Sequence, residues 1–433
     1  RSKLDRILTH KIFGYIIFAA ILFIIFQSIF EWASLPMDLI DGLFANLSEF
    51  VKVNLPSGKL TDLIAEGVIP GIGGVIIFIP QIAILFLFIS ALEETGYMSR
   101  VVFLMDKIMR KFGMSGKSVI PLISGTACAI PAVMASRNIS SWKERLITIL
   151  VVPFTTCSAR LPVYAILIAL VIPDKKVLGI FNLQGLTLMA LYLLGFAAAI
   201  ISAILLHKVL KIKNKSLFVI EMPNYKLPSL KNVFYEVVEK TKAFIFGAGK
   251  IILALSIVLW FLASNGPSSF KNAEATVTLQ EQNSGLNSEE LQQKIASHKL
   301  EHSYIGYMGK SIEPVIKPLG YDWKIGIALI SSFAAREVFV GALATIYSVE
   351  SEGDNVGTIK ERMAAEVNEK GNKRFNLPTG MSLLMFYAFA MQCVGTLAIV
   401  KRETKSWKWP MLQLIGMGLL AYIAAFVTFN LLN

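Results

Sequence analysis

Two stretches of this chain combine an apolar setting with groups able to hold a metal ion. They are Val119-Ile-Pro-Leu-Ile-Ser-Gly-Thr-Ala-Cys-Ala-Ile-Pro-Ala-Val-Met134 and Val152-Pro-Phe-Thr-Thr-Cys-Ser-Ala-Arg-Leu-Pro-Val-Tyr164. Both are hydrophobic enough to lie at membrane depth, yet each is interrupted by prolines and carries one cysteine among small polar residues. A proline inside a helix removes one hydrogen bond and frees the carbonyl four residues earlier. Pro131 then frees the carbonyl of Ala127, beside Cys128, and Pro162 that of Ser158, beside Cys157; Pro153 adds a further interruption. Freed backbone is tolerated in hydrocarbon only where it faces protein or lines a polar cavity. Each break therefore sets a thiol next to an open carbonyl, with Thr126, Thr155, Thr156 and Ser158 close by. That donor set suits stripping water from a cation and passing it on.

Other reactive residues occupy similar surroundings. Cys393 follows Met391 and Gln392 in an apolar run, and Glu93 and Glu94 close another, as ion-path carboxylates or as interfacial caps. Arg336 and Glu337 fall within an apolar segment, where ionisable groups are costly and mark functional positions. The arginine reads as a brace and the glutamate as a candidate for the path; Glu66 is a weaker one. Arg160, two residues before Pro162, pairs with a carboxylate or caps freed carbonyls. The bland alternative for each cysteine is a small buried hydrophobe, and Met134 and Met391 read as packing. His10, His207, His298 and His302 lie in loops or at span ends. His298 and His302 have a chelating spacing on a helix, but also that of a solvated face.

The elements that position these residues must be membrane helices. Of 433 residues, 55% are hydrophobic and only 17% charged, with a mean hydropathy of +0.60. Together with several apolar runs of about twenty residues, this indicates a polytopic helical membrane protein. The net charge of +12 sits largely in loops between spans, as the positive-inside bias requires, so nucleic acid is not an expected partner. The three cysteines form no secreted disulfide framework. The chain begins Arg1-Ser2-Lys3 without an evident cleavable signal peptide and reads as a piece of something longer.

Nine hydrophobic segments follow one another: 12–30, 75–92, 119–136, 146–172, 183–206, 243–263, 323–347, 381–400 and 411–431. Making 119–136 re-entrant leaves eight crossings and keeps the basic stretches 97–145 and 207–242 inside, with 97–117 an amphipathic helix on the inner surface. Lys401, Arg402, Lys405 and Lys408 then fall outside, against the charge bias. The expected fold is all-α and polytopic, with about eight transmembrane helices plus re-entrant or broken helices. Residues 1–60 form a first span and outer loop, 61–206 a first gate-type repeat and 207–242 a basic cytoplasmic linker. Residues 243–433 form a second repeat with an outer loop 264–320 and an inner loop 348–377. The repeat shows as Leu122-Ile-Ser124 recurring in Leu329-Ile-Ser331, and as Cys157 falling over Cys393 once a loop insertion is allowed. Broken helices in matching positions of two halves are the sequence signature of many transporters.

Four motifs carry a family resemblance: Gly71-Ile-Gly-Gly-Val-Ile-Ile-Phe-Ile-Pro-Gln-Ile82, Leu92-Glu-Glu-Thr-Gly-Tyr-Met-Ser-Arg100, Phe112-Gly-Met-Ser-Gly-Lys-Ser118 and Thr156-Cys-Ser-Ala-Arg-Leu-Pro-Val-Tyr164. Together they resemble the membrane domain of the FeoB family of bacterial ferrous-iron transporters, over essentially the whole chain. The resemblance implies Fe2+ as transported substrate, a place in the bacterial inner membrane and two gate-type repeats. It implies no permanently bound cofactor, with GTP and Mg2+ confined to an N-terminal G domain outside this chain. Implied partners are the lipid bilayer, that G domain, a small cytosolic accessory protein and, in one arrangement, further copies of the chain. The family often has Gly-Cys-Asn where this chain has Ala127-Cys128-Ala129, so an asparagine ligand is lacking there. Ferrous iron accepts thiolate, carboxylate and carbonyl ligands, and a transport site must release its ion, which favours mixed, partial ligation. Gly113-Met-Ser-Gly-Lys-Ser118 lacks the first glycine of a phosphate-binding loop. Two other classes stand beside the transporter of iron: a nucleoside or other small-solute carrier, and a membrane-embedded thiol or metal enzyme. The last lacks both His-Glu-x-x-His and Cys-x-x-Cys.

Overall fold

The computed structural model describes residues 8, 10, 12–56, 58–173, 175–177, 181–210, 225–267, 270, 272–273, 277–278, 295, 298–333, 336, 338–339, 342–343, 363 and 373–433. Helices dominate: α1 (Phe13–Glu31), α2 (Ser34–Asn54), α3 (Ile69–Ile76), α4 (Ile79–Glu94), α5 (Tyr97–Met109), α6 (Val119–Ala127), α7 (Ala129–Ala135), α8 (Trp142–Val151) and α9 (Leu161–Val171) come first. After them come α10 (Leu183–Val209), α11 (Leu230–Phe244), α12 (Lys250–Ser264), α13 (Tyr304–Ile316), α14 (Trp323–Ser332), α15 (Leu377–Phe389), α16 (Val394–Thr404) and α17 (Lys408–Leu432). A two-residue antiparallel pairing of Lys176–Val177 with Phe181–Asn182 closes the turn before α10.

Among the described residues six helical runs are long and apolar enough to cross a membrane: Lys59–Glu94, Trp142–Val171, Leu183–Val209, Leu230–Ser264, Leu377–Thr404 and Lys408–Leu432. Phe13–Ile25 and Trp323–Ser332 are shorter apolar helices. This is the all-α polytopic membrane architecture expected. The expected span 323–347 opens as a helix over Trp323–Ser332; residues 334–335, 337, 340–341 and 344–347 of that segment lie outside the described residues. The Trp142–Val171 and Leu377–Thr404 runs are 50% and 72% buried, against 12–33% for the other four. Burial is greatest in the two runs that carry Cys157 and Cys393.

The chain divides into two compact units, and two of the divisions fall at Ser158/Ala159 and Val394/Gly395, within or at the end of those same breaks. In the first unit, α2 lays one face on α3, with Phe44 against Gly73, where a Cβ would sit 3.0 Å from the ring. Ser48 donates to the Ala65 carbonyl, and Lys52 pairs with Glu66 at 2.9 Å. These contacts brace a π-helical turn, Leu63–Val68; such turns concentrate at functional places. Helix α5 begins at Gly96, whose φ of 78° suits glycine, and is amphipathic as expected, burying Tyr97, Val101, Val102 and Leu104. In the second unit, α9 meets α15 with Gly380 seated on Val171, where any side chain would overlap.

Candidate functional site

The first break is a single residue. Cys128 is extended (φ −154°, ψ 133°) between α6 and α7, and Pro131 stands in the first turn of α7. This proline opens a new helix and does not kink a continuous one; the Ala127 carbonyl, at the end of α6, accepts a 2.8 Å hydrogen bond from Ser158 Oγ. Ser158 Oγ in turn accepts from Gln81 Nε2 at 2.6 Å. Buried Gln81 on α4 thus joins a chain that ties the two cysteine segments together.

The second break is longer. Helix α8 tightens into a 3-10 turn, Val152–Phe154, with Pro153 near its start, and the backbone then extends through Thr155–Cys157. A second 3-10 turn, Ser158–Arg160, leads into α9, where Pro162 occupies the first turn. Pro162 therefore starts a new helix, where its missing N–H would have no partner anyway. It does not kink a continuous one, and the expected freed Ser158 carbonyl is not the outcome of such a kink. Arg160 is fully buried.

The hydroxyls around these breaks have different roles. Thr126 donates to Ile123 O, Thr155 to Val152 O and Ser124 to Ile120 O. Thr156 Oγ1 is buried with no hydrogen-bond partner among the described residues. Two glycines let helices approach this segment: a Cβ on Gly125 would lie 2.5 Å from Thr155 Oγ1, and one on Gly195 of α10 would lie 2.9 Å from Phe154 O. Cys157 is buried and Cys128 half-buried, and both are thiols.

The second unit repeats the plan. Helix α15 ends at Ala390 (φ −64°, ψ 139°), close to the φ −63°, ψ 135° of Thr155, and an extended segment runs through half-buried Cys393 to α16. Phe333, at the end of α14, accepts at 3.1 Å from Val394 N, and Arg336 Nη2 donates to Ala390 O at 3.3 Å. The Arg336 guanidinium thus touches the backbone where α15 ends. Glu337 lies outside the described residues.

The remaining predicted residues are drawn elsewhere. Glu94 accepts from Ser229 N at the start of α11. Glu93 lies at 3.5 Å from Asn138 Nδ2 and in the field of Glu236, Lys240 and Lys117. Glu94 therefore helps dock α11, which also receives Ser90 Oγ on Glu236 at 2.6 Å. His298 and His302 stack at 4.2 Å. Among the described residues no three His, Cys, Asp or Glu side chains gather as a metal group.

A cluster unforeseen in the sequence closes one face of the first unit. Glu403, at the end of α16, accepts from Arg137 Nη2 at 2.5 Å and Arg145 Nη2 at 2.7 Å, with its own side chain only 4% exposed. Its hydrogen bond holds the Arg137 guanidinium above its usual pKa. Sequence reasoning placed 401–408 on the face opposite 137–145; these ion pairs place them on the same face.

Two family profiles match the chain. "Gate: Nucleoside recognition" covers residues 75–171 and 245–407, and "Ferrous iron transport protein B C terminus" covers 188–240. An Fe(2+) transporter FeoB of Leptospira interrogans (serovar Lai) is 45% identical over 99% of this chain and 59% of its own length. That of Campylobacter jejuni is 36% identical over 98% of this chain and 64% of its own. A Porphyromonas gingivalis Fe(2+) transport protein A/Fe(2+) transporter FeoB fusion is 37% identical over 99% and 51%. No solved structure matches the chain. The chain belongs to the Gate family and, within it, matches the membrane domain of FeoB. It spans about three-fifths of the length of its Leptospira relative.

Proposed function

We propose that this chain moves Fe2+ inward across the bacterial inner membrane, at the crossing of the broken helices that carry Cys128 and Cys157. The observation that carries this reading is the Ser158–Ala127 hydrogen bond, which links the two cysteine segments, with the buried Thr156 hydroxyl two residues from Ser158 in sequence and without a hydrogen-bond partner among the described residues. Thiolate, hydroxyl and carbonyl together give the mixed ligation that borderline Fe2+ accepts and that permits release. A nearby cation also favours the thiolate form. Cys393, at the matching break of the second repeat, is the next candidate on the path. The reading includes control by a GTP-binding domain outside this chain, biasing a gate with two states, and an accessory protein of the kind fused to the Porphyromonas relative.

The test is anaerobic Fe2+ uptake into proteoliposomes, comparing the chain with a Cys128→Ser/Cys157→Ser variant of equal abundance and equal thermal stability. Loss of uptake in the pair is expected. Unchanged uptake would return both cysteines to packing, and uptake of uridine in place of iron would favour the nucleoside carrier that the Gate description suggests.

A further inference from the structure

The Gln81–Ser158–Ala127 chain has only one consistent hydrogen-bond polarity. A carbonyl can only accept, so at 2.8 Å the Ser158 hydroxyl must donate its single proton to Ala127 O. At 2.6 Å Ser158 Oγ must then accept from Gln81, so the amide nitrogen, and not its oxygen, faces the serine. One hydroxyl lone pair is thereby filled, the proton is committed, and one of the two lone pairs of the carbonyl next to Cys128 is engaged.

We propose that Gln81 is a positioning residue that sets metal selectivity at this gate, by keeping the Ser158 proton on the Ala127 carbonyl and so weakening that oxygen as a ligand. The inference rests on the proposed ion path. With that oxygen engaged, sulfur weighs more in what the gate offers a cation, and this favours Fe2+ over harder ions such as Mn2+. A carboxylate at position 81 cannot donate. Ser158 would turn its proton toward it, uncover the Ala127 carbonyl and leave a charged oxygen nearby. Both changes move the site toward oxygen ligation. Gln81 lies directly after Pro80, in the first turn of α4, and is buried among apolar neighbours. A buried amide in an apolar helix holds its place through such partners.

The experiment is protection of Cys128 and Cys157 from maleimide alkylation by added Fe2+ or Mn2+, under anaerobic conditions, on the full chain in nanodiscs. In the unmodified protein Fe2+ should protect at lower concentration than Mn2+. In Gln81→Glu the Fe2+/Mn2+ preference should fall about ten- to a hundred-fold, the usual reach of a group that orients a ligand. Ser158→Ala removes the donor, uncovers the same carbonyl without adding charge, and should shift the preference in the same direction. Should Gln81→Glu fail to fold, that variant carries the test alone. An unchanged ratio in folded Gln81→Glu and Ser158→Ala would overturn the role of Gln81 while leaving the gate in place. Absence of protection by either ion in the unmodified protein would overturn the gate itself and this inference with it.

Discussion

Truncating the Glu403 cluster separates the burial of a charge from the number of its contacts. The carboxylate side chain is 4% exposed, whereas Arg137 and Arg145 are 43% and 21% exposed. Removing one partner from a buried ion pair costs about 3–5 kcal/mol when the charge left behind has no water. Arg137→Ala/Arg145→Ala leaves Glu403 in that position, and this double variant should cost the full amount. Glu403→Ala leaves two guanidiniums that regain water, so about 2 kcal/mol is expected after screening is allowed for. Arg137→Ala leaves Glu403 its Arg145 contact and removes a half-exposed partner, for about 1 kcal/mol. The expected order of damage is therefore double arginine, then glutamate, then single arginine. Thermal unfolding of the detergent-solubilised protein reads that order directly. A Glu403→Ala protein less stable than the double arginine variant would refute the reasoning, because the cost would then follow contacts and not desolvation.

Two further outcomes follow from backbone geometry. Gly195→Ala places a methyl 2.9 Å from Phe154 O and 3.0 Å from Thr156 Oγ1. Its overpacking cost of about 1–3 kcal/mol outweighs the gain of about 1 kcal/mol in helix propensity. It should reduce Fe2+ uptake, while Gly185→Ala on the same helix, with nothing within 4 Å, should be neutral or stabilising; equal uptake by both would count against a tight fit at the break. Glu403 binds Arg137 and Arg145 within the first unit. Cysteines replacing Ser140 and Lys408 should therefore label from the same face of the membrane. Labelling of the two from opposite faces would break that pairing.

The sequence was most legible where an effect is local. Hydropathy located the long helices, and the prolines and small polar residues around Cys128 and Cys157 located the breaks. The rule that a proline frees the carbonyl four residues earlier failed at both Pro131 and Pro162, because it assumes a helix that is already continuous. Extended Cys128 ends α6 before Pro131, and the tightening of α8 at Val152–Phe154 ends that helix before Pro162, so each proline opens the next helix. What covers a freed carbonyl is a tertiary matter: Ser158 is 31 residues from Ala127, and Gln81 is 77 from Ser158. A glutamine after a proline in an apolar run was visible, but its partner was not. At 401–408 the span count failed and the charge bias did not. Counting spans treats every segment alone, whereas Glu403 is bound by arginines 258 and 266 residues away. Such a buried carboxylate cancels part of the basic cluster around it and fixes which face that cluster occupies. Topology in a chain with re-entrant segments therefore follows from the few buried charges that must find partners, and those charges decide where loop counts conflict.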